Sequence, residues 1–88
     1  MDRATLIRKL RYQASRRASL ELEMMLDRLV SQSVLETFTD DELIDLDELL
    51  KIDEIALENV LLHKGPRPEG IPLKLWEKIL ELLIHPKS

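Results

Sequence analysis

Thr39-Asp40-Asp41-Glu42-Leu43-Ile44-Asp45-Leu46-Asp47-Glu48-Leu49-Leu50 is the stretch that decides how this chain folds. It opens on T-x-x-E, the pattern in which a threonine hydroxyl takes an amide of the first turn and a glutamate three residues on returns to the cap. Asp40 and Asp41 add negative charge where a helix dipole favours it. Leu43, Leu46, Leu49 and Leu50 then recur at helical spacing and predict one buried face, with Asp45, Asp47 and Glu48 left to water. Downstream, Ile52-Asp53 is a short link that makes the next helix a close neighbour, and Asp53 is its predicted cap. Ala56, Leu57, Val60 and Leu61 supply the apolar face of that helix. Gly65-Pro66-Arg67-Pro68-Glu69-Gly70 ends it in a loop. Pro72 suits the first position of a last helix running to about residue 84, expected to bury Leu73, Trp76, Ile79, Leu80 and Leu83.

Upstream, residues 3–14 predict a helix with Leu6, Ile7 and Leu10 on one face and Arg8 and Arg11 on another. Ser15 and Ser19 compete as caps around a break at residues 15–18. A second helix follows to about residue 35, its buried stripe formed by Leu22, Met25, Leu26 and Leu29. The fold class expected is all-α, a compact five-helix bundle forming one domain over residues 1–88.

Composition agrees with that reading. The 88 residues are 44% hydrophobic, yet only Tyr12, Phe38 and Trp76 are aromatic, so aliphatic side chains must fill the core. Two glycines argue against a turn-dense β sandwich or barrel. The absence of cysteine removes disulfides, thiolate zinc sites and thiol nucleophiles together. No apolar run approaches the roughly 20 residues of a membrane span, and no signal-peptide core follows the charged start. The expectation is a soluble intracellular chain without direct membrane insertion.

The net charge of −4 conceals a strong polarity. Within residues 1–17, six basic side chains face Asp2 alone, a balance of +5; within residues 36–58, ten acids face Lys51 alone, a balance of −9. Two readings stay open: the basic helix lies over the acidic pair of helices, or it steers toward a partner. An isoelectric point near 5.1 disfavours nucleic acid, so no nucleic-acid partner is expected.

Catalytic constellations are scarce. His63 and His85 sit at predicted helix ends, where an imidazolium complements the dipole, and neither has a spaced ligand partner. The acids of residues 40–48 lack the glycine and alternation of a calcium loop. No nucleophile elbow, phosphate loop or dinucleotide fingerprint is present. On a wheel of ~100° per residue, Arg17, Glu21, Met24 and Arg28 fall together beside the core stripe, with Arg17 and Glu21 spaced as an i, i+4 ion pair. Ala18 sits at the edge of that stripe, where a small residue permits close approach.

Tyr12-Gln13-Ala14-Ser15-Arg16-Arg17-Ala18-Ser19-Leu20-Glu21-Leu22-Glu23 resembles the Y-x-S-R-x-R-G-x-x-E-x-D stretch of the succinate dehydrogenase flavinylation factors, also called FAD assembly factors, whose core signature is R-G-x-x-E. Phe38 to Leu43 resembles the family's turn into its third helix, and Leu49-Leu50 onward to Gly65-Pro66 its paired short helices and proline-containing loop. The resemblance covers roughly residues 6–70. It implies a five-helix bundle and a chaperone-like, non-enzymatic role: binding the flavoprotein subunit of succinate dehydrogenase, or of fumarate reductase, and promoting covalent attachment of FAD to a histidine of that subunit. The bond itself would form autocatalytically in the client, and the factor would hold no FAD stably. The resemblance places Arg17 and Glu21 on the family's key arginine and glutamate, in contact with the flavoprotein, with Tyr12, Arg16 and Glu23 extending the surface. Ala18 occupies the signature glycine, and alanine is the mildest replacement if that position serves close approach within a helix. A monomeric chain in the bacterial cytoplasm or the mitochondrial matrix is expected. The alternatives are a helical interaction module of antitoxin or regulator type, and a nucleic-acid-binding helix pair using Arg8, Lys9, Arg11, Arg16 and Arg17.

Overall fold

The capping box forms as its sequence requires: Thr39 Oγ1 accepts from the Glu42 amide at 3.1 Å, and Glu42 Oε1 accepts from the Thr39 amide at 2.8 Å. The computed structural model describes residues 2–17, 19–63 and 65–84. Among them the chain is all-helical: α1 (Arg3–Ser15), α2 (Leu20–Leu29), α3 (Gln32–Leu35), α4 (Asp40–Leu50), α5 (Glu54–Leu61) and α6 (Leu73–Ile84). The helices enclose one largely aliphatic core that also takes in Phe38 and Trp76, and the Cα radius of gyration of the chain is 11.9 Å. Leu10, Leu22, Leu26, Leu35, Leu43, Leu46, Leu49, Leu57 and Ile79 are wholly removed from solvent in it.

The bundle has one helix more than expected, because the segment read as a single helix to residue 35 is two. Ser31 adopts φ −64°, ψ 150°, and its hydroxyl donates to the Arg28 carbonyl at 3.1 Å, which diverts the backbone from the helical ladder. An unbroken helix would place Leu35 ~120° around the axis from Leu29. The break lets both be buried. The break before α2 falls where the two serines predicted it. Ser19 wins as the cap, accepting from the Leu22 amide at 3.3 Å, while the Ser15 hydroxyl donates back to the Tyr12 carbonyl at 2.8 Å.

Asp53 caps α5 as expected, accepting from the Ala56 amide at 3.3 Å. In α6 the register of burial differs from the expectation. Leu75, Trp76, Ile79 and Leu83 are buried and Leu80 is half-buried, whereas Leu73 is 58% exposed. Leu73 lies ~120° from Ile79 around the axis, and so outside the stripe that Leu75, Ile79 and Leu83 set. The helix itself starts at Leu73, with Pro72 just ahead of it, its carbonyl accepting from the Trp76 amide at 3.0 Å.

The charge polarity resolves within the chain. Asp47, expected in water, is buried; it follows Leu43 by four residues and precedes Leu50 by three, and so belongs to the core stripe of α4. Its Oδ1 accepts from Gln13 Nε2 at 2.8 Å, and its Oδ2 pairs with Lys51 Nζ at 3.1 Å and Lys9 Nζ at 3.4 Å. Hydrogen bonding to Asp47, reinforced by the two nearby carboxylates, raises the Lys51 ammonium above its usual pKa. At the other end of the same helix pair, Arg3 contacts Asp40 at 2.6 Å and donates to the Phe38 carbonyl at 2.7 Å and the Leu35 carbonyl at 3.1 Å. The basic helix therefore lies on the acidic one. Lys78 of α6 reaches the same corner, donating to the Thr37 carbonyl at 2.7 Å and to Glu42 at 3.2 Å, 4.2 Å from the Phe38 ring centroid. The Thr39 amide, with Lys78 behind it, holds the Glu42 carboxyl below its usual pKa against the opposing effect of burial.

Candidate functional site

The residues that carry the family resemblance surround the turn between α1 and α2. Tyr12, near the end of α1, is 60% exposed. Arg16 follows it by one helical turn, and the two side chains meet: Arg16 Nη1 donates to the Tyr12 hydroxyl at 2.7 Å, and the guanidinium carbon stands 5.2 Å from the ring centroid. A guanidinium over a phenol ring at that distance is a cation–π pair, which orders two long exposed side chains before any partner arrives.

Arg17 does not do what the helical wheel predicted. The wheel assumed one helix through residues 17–28, but Ser19 is the cap and α2 begins at Leu20, so Arg17 stands outside it. Among the described residues no ion pair joins Arg17 to Glu21. The half-buried Arg17 guanidinium turns instead to the end of α4, where Nη2 donates to the Leu50 carbonyl at 2.8 Å; its Nε is buried without a hydrogen-bond partner. The last carbonyls of a helix lack intrahelical donors and carry the negative end of the macrodipole, so a cation is drawn there. Ala18 lies outside the described residues.

The remainder of the predicted stripe survives on α2. Glu21, Met24 and Arg28 share an exposed face, and Glu23, half-buried, accompanies Glu21 in the first turn, where both complement the dipole. Leu20, which the sequence reading did not single out, stands beside them. Leu20 is 70% exposed and Met24 is 62% exposed, one helical turn apart and opposite the Leu22, Leu26 and Leu29 core face. The signal was available: on a helix whose core stripe is fixed by three leucines, residues 20 and 24 point the other way.

Elsewhere the chemistry is sparse. A cleft of about 300 Å³ between α1 and α4 is lined by Arg3, Leu6, Lys9, Asp40, Ile44, Asp47 and Lys51, whose charged groups pair with one another. Among the described residues no group of three histidine, aspartate or glutamate side chains is placed to hold a metal ion. His63 is exposed just beyond α5, and His85 lies outside the described residues. No helix of the described residues is long and apolar enough to cross a membrane.

The described residues form a small all-helical protein in which an aromatic side chain (Tyr12), two apolar ones (Leu20 and Met24) and several charged ones are exposed around the α1–α2 turn, while Ile44, Ile55 and Leu73 are exposed elsewhere. The chain belongs to the family described as the flavinator of succinate dehydrogenase, which it matches over residues 8–83. That span takes in the turn, α2 and the whole α4–α5 pair. No curated protein and no solved structure gives a significant match to the chain.

Proposed function

We propose that this chain is an assembly factor that binds the flavoprotein subunit of succinate dehydrogenase, or of the related fumarate reductase, and promotes the covalent attachment of FAD to it. The family match over residues 8–83 carries the reading. The bond forms in the client, and the factor, which has no dinucleotide fingerprint, holds no FAD stably. Its contribution is differential binding: a factor that favours the linkage-competent arrangement of the client shifts the client's population toward it by as much as its affinities for the two states differ. It works as a monomer when free, in the bacterial cytoplasm or the mitochondrial matrix.

The docking surface is built around the α1–α2 turn, with Tyr12, Arg16, Glu21 and Glu23 as its aromatic and charged members, Ala18 as its small one, Leu20 and Met24 as its apolar ones, and the half-buried Arg17 behind them. Exposed apolar side chains beside pre-ordered charged ones are what a specific protein contact needs: burial supplies affinity and the charges fix register. Capture of the apo-flavoprotein subunit by the immobilised chain tests this. Wild type should retain it, and Glu21→Ala should weaken capture by about tenfold or more with far-UV circular dichroism unchanged. Equal capture by wild type and Glu21→Ala would remove the turn from the interface, and no capture by wild type would remove the function.

A further inference from the structure

Resting on that docking reading, we infer that Arg17 is a positioning residue: its guanidinium latches the α1–α2 turn onto the end of α4 and sets where the exposed docking side chains stand, rather than contacting the client. The latch is the 2.8 Å bond from Nη2 to the Leu50 carbonyl. Leu50 closes α4, and that end of the helix has no basic residue in its last turn. Three cations gather around it: Lys51, the C-cap of the helix itself, and Lys9 from α1, both on the buried Asp47 carboxylate, and Arg17 on the terminal carbonyl. All three face the negative end of the macrodipole.

The position of Arg17 in the chain gives the latch its leverage. It stands directly after the C-cap of α1, Arg16, and two residues before the N-cap of α2, Ser19. Fixing Arg17 therefore fixes the exit of α1, which carries the Tyr12–Arg16 pair, and the entry of α2, which carries Leu20, Glu21 and Met24. A direct role in the contact fits the geometry poorly. The guanidinium is half-buried, its Nε is sealed from solvent, and one η nitrogen is already committed to a backbone acceptor. A bidentate grip on a client carboxylate needs two parallel N–H donors free on one edge of the group.

Two substitutions separate the roles. Arg17→Met keeps the aliphatic stem and removes every side-chain donor; Arg17→Lys keeps a cation with its donors on one nitrogen, enough for a single carbonyl but without the planar two-nitrogen fork of a bidentate grip. Amide exchange is followed in the free chain at Leu22 and Glu23, which donate to the hydroxyl and carbonyl of Ser19, with Trp76, which donates to the Pro72 carbonyl at the start of α6, as the control. Capture of the apo-flavoprotein is measured alongside. The latch predicts that Arg17→Met speeds exchange at Leu22 and Glu23 by about tenfold, leaves Trp76 unchanged and weakens capture by about tenfold, whereas Arg17→Lys stays within about threefold of wild type in both. Three results would overturn it: weaker capture by Arg17→Met with exchange unchanged, faster exchange with capture unchanged, or loss of capture in Arg17→Lys equal to that in Arg17→Met. Failure of wild type to capture the subunit would sink the docking reading instead, and the exchange data on the free chain would still decide whether Arg17 holds the turn.

Discussion

Replacing Asp47 by asparagine probes the contact on which the bundle's charge arrangement depends. The side chain is 8% exposed and meets three donors: Gln13 at 2.8 Å, Lys51 at 3.1 Å and Lys9 at 3.4 Å. Asparagine keeps the volume and one acceptor oxygen, so the Gln13 bond survives. It loses the charge and turns an NH₂ donor toward two ammonium groups. Breaking a fully buried ion pair costs about 3–5 kcal/mol, but these lysine side chains are 38% and 45% exposed and are partly resolvated. A charged hydrogen bond in that intermediate setting is worth about 1.5–3 kcal/mol, so a loss of about 2 kcal/mol is expected. For a domain of this size that lowers the melting temperature by about 10 °C. Urea unfolding followed by far-UV circular dichroism measures it, with Lys9→Ala and Lys51→Ala made in both backgrounds. Each lysine alone should cost about 0.5 kcal/mol, and that cost should vanish beside Asp47→Asn. An Asp47→Asn chain within about 0.5 kcal/mol of wild type would refute the claim that this carboxylate ties α1 to α4.

Other outcomes follow from single contacts. Thr39→Ala removes one arm of the capping box and should cost about 1 kcal/mol in urea unfolding. Glu42, whose folded pKa lies below its ordinary 4.5, contributes stability above that value and loses it as pH falls through the lower folded one; Glu42→Gln should therefore flatten the acid limb of a stability–pH profile. Lys51 has the opposite sign: its raised pKa gives stability that is fully present below 10.5 and is lost as pH climbs through the higher folded value, a loss absent from Lys51→Met. Gly65→Ala would set a Cβ 3.0 Å from the Asn59 carbonyl oxygen, whose backbone cannot yield cheaply, and should destabilise by about 1–3 kcal/mol in thermal or urea melts.

The fold was legible where local chemistry and periodicity coincide. T-x-x-E at residue 39 and the serines around residue 17 mark their helix boundaries because a cap depends on neighbours three residues away, which the sequence displays. Ser31 broke the helix read through it because the choice between ladder and turn was decided by burying Leu35, a tertiary gain that no window around Ser31 contains. Asp47 was missed for the opposite reason. Its place on the α4 stripe was visible, but its charge argued for water, and only the arrival of Lys9 and Gln13 from α1 makes burial tolerable. The candidate site shows the same division. Glu21, Met24 and Arg28 stand where the wheel put them, since they lie within one helix. Arg17 does not, because its partner is a backbone carbonyl 33 residues further along the chain, and no spacing rule encodes that.

The measurement closest to the central claim is in-gel flavin fluorescence of the denatured flavoprotein subunit, produced with FAD in the presence or absence of this chain. Covalent flavin should be abundant with the wild-type chain and sharply lower both without it and with Glu21→Ala. Equal fluorescence in all three lanes would contradict the account at its root.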